Sequence, residues 1–297
     1  MNFKLDKVFL NKADADGREK MREYILQKHT GINGSVIARS ILSRPIEAYF
    51  LGSSRRCVLL VAAHHALESI TTNFAFAFID YLLTKSKNNS INGIDCKFLL
   101  SKYCFLTIPC VNPDGIDMRF NGAHDSPLRE RQMRMSGGDF SSWQANARGV
   151  DLNHNYDAGF DTYKGIEAQN GIVPGPTLYS GESPESEPET HGVANLVRTL
   201  MPCAVVSLHT QGEEIYAYPD TQRVRRIAEK LALMTGYRVS EAGGTAAYGG
   251  LCNYTATLGI PSFTIELGKG ANPLAEDVLP SFFFKVADAV ITLPTLL

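Results

Sequence analysis

Residues 57–70 read Cys57-Val-Leu-Leu-Val-Ala-Ala-His-His-Ala-Leu-Glu-Ser-Ile70. The first seven are apolar and mostly β-branched or small, as in a strand covered on both faces. From Leu67 the spacing becomes helical, with Ile70, Phe74, Phe78 and Leu82 on one face. His65-x-x-Glu68 sits at the switch. The C-terminal end of a strand, just ahead of a helix, is where open α/β sheets keep their sites. On an opening helical turn, groups three residues apart point at one spot. An imidazole and a carboxylate there suit zinc, which takes nitrogen and oxygen ligands at about 2.0–2.2 Å. Alone, the motif is weak, since such a pair also arises as a surface ion pair or helix cap.

The chain's 297 residues carry a net charge of −2, which gives no electrostatic case for nucleic acid or an anionic membrane. No uninterrupted apolar run approaches the roughly 20 residues of a membrane helix, and the N-terminus lacks a signal-peptide core. Six cysteines in apolar runs, without CxxC spacing, read as buried thiols in a reducing compartment, so a cytoplasmic location is expected.

Helices are predicted over Gly17–Thr30, Leu67–Ser86, Gln222–Thr235 and Glu276–Leu293. A hairpin is predicted from Val36–Leu42 and Ile46–Leu51, and strands at Cys57–Ala63, Tyr103–Cys110, Cys203–Leu208, Ile215–Tyr218 and Ser262–Leu267. Lys87–Gly93 reads as a loop and Asn112-Pro-Asp-Gly115 as a turn. Residues 116–186 read as irregular, a long connection of the kind that serves function. Ser186 and Glu189 read as a capping box. Strands alternating with helices, without repeat or linker, argue for a single α/β domain over 1–297. Its mixed, largely buried sheet would carry helices on both faces.

Two further strands end in chemistry. Val205-Val-Ser-Leu-His209 stops at an imidazole and Phe263-Thr-Ile-Glu266 at a carboxylate before the Gly268-Lys-Gly270 turn. A carboxylate there carries a desolvation cost unless paired or metal-bound. With His65 and Glu68, these ends can converge on one edge of the sheet.

In motif order these residues resemble the zinc carboxypeptidase family. The matching segments are His65-Ala-Leu-Glu68, Pro109-Cys-Val-Asn-Pro-Asp-Gly115, Gly149-Val-Asp-Leu-Asn-His-Asn155, Ser207-Leu-His209 and Thr264-Ile-Glu-Leu267. Two stretches are similar to the branch that cuts γ-D-glutamyl–diamino-acid bonds of cell-wall peptides: His209-Thr-Gln-Gly-Glu-Glu-Ile-Tyr216 and Glu266-Leu-Gly-Lys-Gly-Ala-Asn-Pro-Leu274. The resemblance implies Zn²⁺ held by His65, Glu68 and His209, with Glu266 as general base. It implies Asp151 orienting His65, and a muropeptide as the peptide substrate. His64 is expected to point away from the metal.

The chain departs from the family at its cationic groups. Asn153 matches, but His154 stands where the family has the arginine that clamps a terminal carboxylate. A further arginine position falls on Gln144, with Arg148 near enough in sequence to substitute. A neutral imidazole or amide is not a permanently charged fork, so Lys269 is a candidate anchor. Glu213, with Glu214, is a candidate partner for a substrate ammonium. The family's mobile tyrosine is expected at Tyr248, or else Tyr254, although the register falls nearer Thr245. Other readings stay open: a carboxypeptidase or N-acyl amino acid deacylase of the same fold, or an inactive muropeptide-binding protein.

Overall fold

The computed structural model describes residues 3–87, 89–241 and 243–297; Asn88, in the expected Lys87–Gly93 loop, lies outside them. Eight strands form one mixed sheet: β1 (Gly34–Arg39), β2 (Pro45–Leu51), β3 (Cys57–Ala62), β4 (Cys104–Ile108), β5 (Ala204–His209), β6 (Glu214–Tyr218), β7 (Arg238–Ser240) and β8 (Ser262–Glu266). Their spatial order is β1-β2-β4-β3-β5-β8-β6-β7. The central four, β4, β3, β5 and β8, are parallel, with antiparallel neighbours at either side. Among the described residues, ten α-helices accompany the sheet: α1 (Ala15–Lys28), α2 (Ile70–Lys85), α3 (Cys96–Lys102), α4 (Pro113–Asn121), α5 (Arg129–Ser136), α6 (Phe160–Asn170), α7 (Pro188–Leu200), α8 (Gln222–Thr235), α9 (Leu251–Thr257) and α10 (Leu279–Thr292).

Strand periodicity sorts the side chains into two layers. Val58, Leu60 and Ala62 of β3 join Phe74 and Phe78 of α2, Ile227 of α8 and Phe283 of α10 in the larger core. Leu59 and Val61 face the other way, onto Val193 and Val197 of α7 and Leu251 and Tyr254 of α9. All six residues of β3 are buried, as expected of a strand covered on both faces. On β5 and β8 the second face carries Val205, Ser207, His209 and Ser262, Thr264, Glu266. Apolar packing therefore ends where the functional groups begin. A third cluster around Trp143, Ile116 and Met118 supports the segment beside them.

Several local expectations are corrected. Asn112-Pro-Asp-Gly115 is a helix start: Asn112 Oδ1 accepts from Gly115 N at 2.9 Å, and Pro113 begins α4. The stretch 116–186 is not irregular throughout, since it contains most of α4 and all of α5 and α6. These helices are short and largely polar, so they leave little hydrophobic periodicity to read. The capping box does not form. Glu187 is the N-cap of α7, Pro188 occupies its first turn, and Ser186 Oγ donates to Glu187 Oε1 at 2.9 Å. Continuous helical structure over Glu276–Thr295 is 20 residues long and apolar enough to cross a membrane. Its residues Leu279, Phe282, Phe283, Val286 and Val290 lie in the core beside α2 and α8.

Freed from capping, Glu189 is buried and accepts from Ile41 N at 3.1 Å. Burial, reinforced by nearby Asp114 and Glu187, pushes its carboxyl up from 4.5 to about 8. Below pH 4.5 the folded and unfolded chains both hold this proton. As pH rises from there toward 8, the unfolded chain ionises and the folded one resists, so stability falls. Glu189→Gln keeps an acceptor for Ile41 N and removes the ionisation. Denaturant titrations should show wild type losing on the order of a few kcal/mol relative to this variant between pH 5 and pH 8. Parallel pH profiles would show that Glu189 does not resist ionisation.

Candidate active site

Three strand ends meet at one level. Parallel register places Glu266 of β8 beside His209 of β5, and Ala62 of β3 beside Leu208. The chain beyond β3 forms a 3₁₀ turn, Ala66–Glu68, which brings His65 and Glu68 to the same place. His65 Nδ1 lies 3.0 Å from Glu68 Oε1, and His209 Nδ1 lies 2.9 Å from Glu68 Oε2. Ligand atoms of the three residues all fall within 4.8 Å of one another.

The far side of each ring is also held. His65 Nε2 is 3.2 Å from Asp151 Oδ1, and His209 Nε2 is 3.1 Å from Ser207 Oγ. Against the cost of burial, the His65 ring keeps the Asp151 carboxyl well below the usual carboxylate range. Leu178 N also donates to Asp151, at 3.0 Å. Two imidazole nitrogens and a carboxylate oxygen, converging with their outer atoms tied, fit the donor set of a zinc ion with an open fourth position.

The backbone ahead of His65 is clamped. Asn112 Nδ2 donates to the carbonyls of His64, Gln144 and Ala145 at 3.0, 3.1 and 3.1 Å. Ala66 N donates to Gln144 O at 3.0 Å. Gln144 thus contributes its carbonyl to the support of the ligand turn. His64 is not in the ligand group: its Nε2 is 2.9 Å from Tyr156 Oη, and its ring lies nearly parallel to that of His209.

Glu266 and the three ligand residues line a cavity of about 140 Å³. Burial, aided by Glu68 and opposed by His209, pushes the Glu266 carboxyl up to about 7. The remaining wall is formed by Asn153, His154, Tyr216, Tyr218, Thr245 and Ala246, with Gly250, Cys252, Asn253 and Thr264. Among the described residues, no lysine or arginine lines it.

The expected cationic anchors lie elsewhere. Arg148 Nε donates to Glu187 Oε2 at 3.0 Å and its Nη2 to Ser186 O at 3.3 Å, so it is committed to the start of α7. Lys269 is 74% exposed and paired with Glu213 at 3.0 Å. Glu213 also meets Lys285 of α10 at 3.4 Å. Neither Lys269 nor Glu213 lines the cavity: the two loops that carry them pair with each other.

His154 does line it, but as a neutral ring. Burial lowers its pKa, and Nδ1 donates to the Tyr248 carbonyl at 2.9 Å, which leaves Nε2 an acceptor. Tyr163 stacks on it at 4.2 Å. It therefore does not replace the expected arginine. Asn153 lines the cavity, with Oδ1 accepting from Leu251 N at 3.2 Å. Tyr248 does not line the cavity, and its ring packs against Gly159. Tyr254 is buried against Tyr156 and meets Arg198 at 3.0 Å. Thr245, the residue nearest in register, is the one of these three that lines the cavity.

Tyr218, Cys252 and Asn253 were not legible as site residues. Tyr218 had a signal, since it follows Tyr216 at the strand period of two. Ser207 had the same signal relative to His209. A larger cavity, about 390 Å³, lies between α1 and β2, but among the described residues it contains no such ligand group. Its Arg18, Arg22 and Arg44 are each paired with carboxylates.

A zinc carboxypeptidase family model matches residues 23–282. The chain belongs to the zinc carboxypeptidase family. It is 32% identical over 254 residues to γ-D-glutamyl-L-diamino acid endopeptidase 1 of Lysinibacillus sphaericus, covering 82% of this chain and 62% of that protein. It is 27% identical over 242 residues to mast cell carboxypeptidase A of Mus musculus, covering 76% of this chain and 54% of that protein. The chain thus spans less than two thirds of the length of either relative. Among solved structures, bovine thrombin-activatable fibrinolysis inhibitor shares the fold with a TM-score of 0.75 at 20% identity, over 97% of both chains.

Metal analysis of protein loaded with zinc should find one ion per chain. His209→Ala should lose stoichiometric binding. Asp151→Asn should bind zinc about 10- to 100-fold more weakly, because the His65 ring loses its charged partner. An unchanged zinc affinity in that variant would remove Asp151 from this role.

Proposed function

We propose that this chain hydrolyses the amide bond between the γ-carboxyl of a D-glutamyl residue and a diamino acid, within a cell-wall peptide that continues beyond the diamino acid. The observation that carries this reading is the cavity without a cation. A carboxypeptidase, or a deacylase of N-acyl amino acids, releases a residue bearing a free α-carboxylate next to the broken bond. Burying that carboxylate without a guanidinium or ammonium is costly. A leaving residue whose α-carboxyl is already in a peptide bond brings no such charge. Similarity to the Lysinibacillus endopeptidase supports the same bond. The retained Glu266 argues against an inactive binding protein.

When bound by His65, Glu68 and His209, zinc supplies Lewis acidity and lowers the pKa of a water toward about 7. Glu266 Oε takes a proton from the attacking water and returns it to the leaving nitrogen. Asp151 and Ser207 hold the two imidazoles in orientation, and Asn112 holds the turn that carries His65. Asn153 and the acceptor Nε2 of His154 face the substrate as neutral groups.

Incubation with L-Ala-γ-D-Glu-meso-diaminopimelyl-D-Ala, followed by mass analysis, should yield L-Ala-D-Glu and the diaminopimelyl dipeptide. The tripeptide lacking D-Ala should be cleaved more slowly. Preference for the tripeptide, or release of D-Ala instead, would overturn the reading. Glu266→Gln should retain zinc and lose at least about 100-fold in kcat. Lys269→Ala should leave kcat/KM within about threefold of wild type, because an exposed ion pair contributes little.

A further inference from the structure

The net charge of −2, which by itself makes no case for an anionic membrane, averages over two unlike parts of the chain. Residues 52–57, Gly52-Ser-Ser-Arg-Arg-Cys57, and residues 85–103 together carry six cations and one carboxylate, so the remainder of the chain sums to −7. The two segments meet at the edge of the sheet opposite the active site. β3 begins at Cys57 and runs toward His65, and β4, parallel to it, begins at Cys104. The loop ahead of β3 and the end of α3 ahead of β4 therefore share that edge. Ser53 N donates to Leu100 O at 3.2 Å, and Cys104 N to Arg56 O at 2.9 Å. The Arg56 guanidinium lies 4.8 Å from the centre of the Tyr103 ring. Lys87, just past the end of α2, lines one surface cleft with Gly52.

Helix α3 turns Cys96 and Leu99 inward and leaves Lys97, Phe98, Ser101 and Lys102 exposed. Phe98 is 61% exposed, and Lys102 Nζ lies 5.4 Å from the centre of its ring. Arg55, Arg56 and Lys87 are exposed as well. Among the described residues, none of the five cations Arg55, Arg56, Lys87, Lys97 and Lys102 is in an ion pair. The sixth, Lys85, lies over the Tyr81 ring at 5.4 Å. The one carboxylate of the two segments, Asp95, is the N-cap of α3 and accepts from Phe98 N at 2.9 Å.

We infer that this edge is a docking surface for an anionic lipid bilayer. Each Lys or Arg held near such a surface strengthens binding about fivefold, so the five together reach on the order of 1000-fold. Phe98 decides the kind of partner. A polyanion in water pairs with the cations and leaves the exposed ring wet. A bilayer takes both, with the charges at its headgroups and the ring at the acyl boundary. Docked this way, β3 points away from the lipid. Its six residues rise about 3.3 Å each, which sets the zinc-ligand group roughly 20 Å above the surface, with the cleft open to water. Glu68 and Glu266 at that far end are repelled by the lipid charge, which favours the same orientation.

The test is flotation of the zinc-loaded full chain with vesicles of phosphatidylcholine alone, or with about 30% phosphatidylglycerol, in about 0.05 M and about 0.5 M salt. Wild type should bind the anionic vesicles at least about 20-fold more tightly than the neutral ones and lose that preference at the higher salt. Lys97→Glu/Lys102→Glu should weaken this binding at least about 10-fold. Arg226→Glu/Lys230→Glu makes the same change in net charge on the exposed face of α8 and should stay within about twofold of wild type. Phe98→Ser should weaken binding about 10-fold and leave its salt dependence unchanged. All these positions are exposed, so the variants should melt with wild type. No preference of wild type for anionic vesicles, or equal losses in the two double variants, would overturn the docking surface. Tight binding to poly(dT), with vesicle binding unaffected by Phe98→Ser, would overturn the bilayer in favour of a polyanion in water. Flotation is read without substrate, so its outcome is separate from that of the proposed hydrolysis.

Discussion

Parallel strand register is the constraint on which the site depends. In such a pair the partners advance together, so one residue's position fixes its neighbour's. Glu266 stands beside His209 because β8 and β5 are paired from Ser262 and Val205 onward. A shift of one residue would turn both groups into the larger core and bring Ile265 and Leu208 to the cavity. Apolar side chains on the core face of these strands, Phe263 and Ile265 with Val206 and Leu208, oppose that slip. The hydrophobic effect thus sets the geometry of the polar residues, although none of these core residues lines the cavity.

Charge within the site is carried by carboxylates. Near the ligand group, Glu68 and Glu266 supply negative charge, and His154 is neutral by burial and by its bond to a carbonyl. The guanidinium near in sequence, Arg148, satisfies buried Glu187.

The sheet and the ligand group were legible because they obey short-range rules. A strand buried on both faces is largely apolar, and His209 and Glu266, at the ends of β5 and β8, stand out against that background. The hairpin of β1 and β2 and helix α8 followed from periodicity in the same way. What failed needed contacts between distant segments. Arg148 is four residues from Leu152, yet Gly149 (φ 78°) redirects the chain between them. Lys269 and Glu213 belong to loops that leave adjacent strands, so they neutralise each other before any substrate arrives. Ser186 lost the cap of α7 because Asn155 claims its hydroxyl at 3.0 Å and fixes the loop one residue out of phase. Helix α5, Arg-Glu-Arg-Gln-Met-Arg-Met-Ser, is polar on nearly every face and buries only Gln132.

The Asn112 clamp has a bearing on how this protein ages. An aspartate at 112 would turn carboxylate oxygen toward three carbonyls, those of His64, Gln144 and Ala145, and loosen the turn that carries His65. Asparagine normally decays to aspartate when the next residue's backbone nitrogen attacks the side-chain amide and closes a cyclic imide. Here that next residue is Pro113, whose nitrogen carries no hydrogen, so the route is closed. The residue that starts helix α4 therefore also shields the clamp from spontaneous chemical damage.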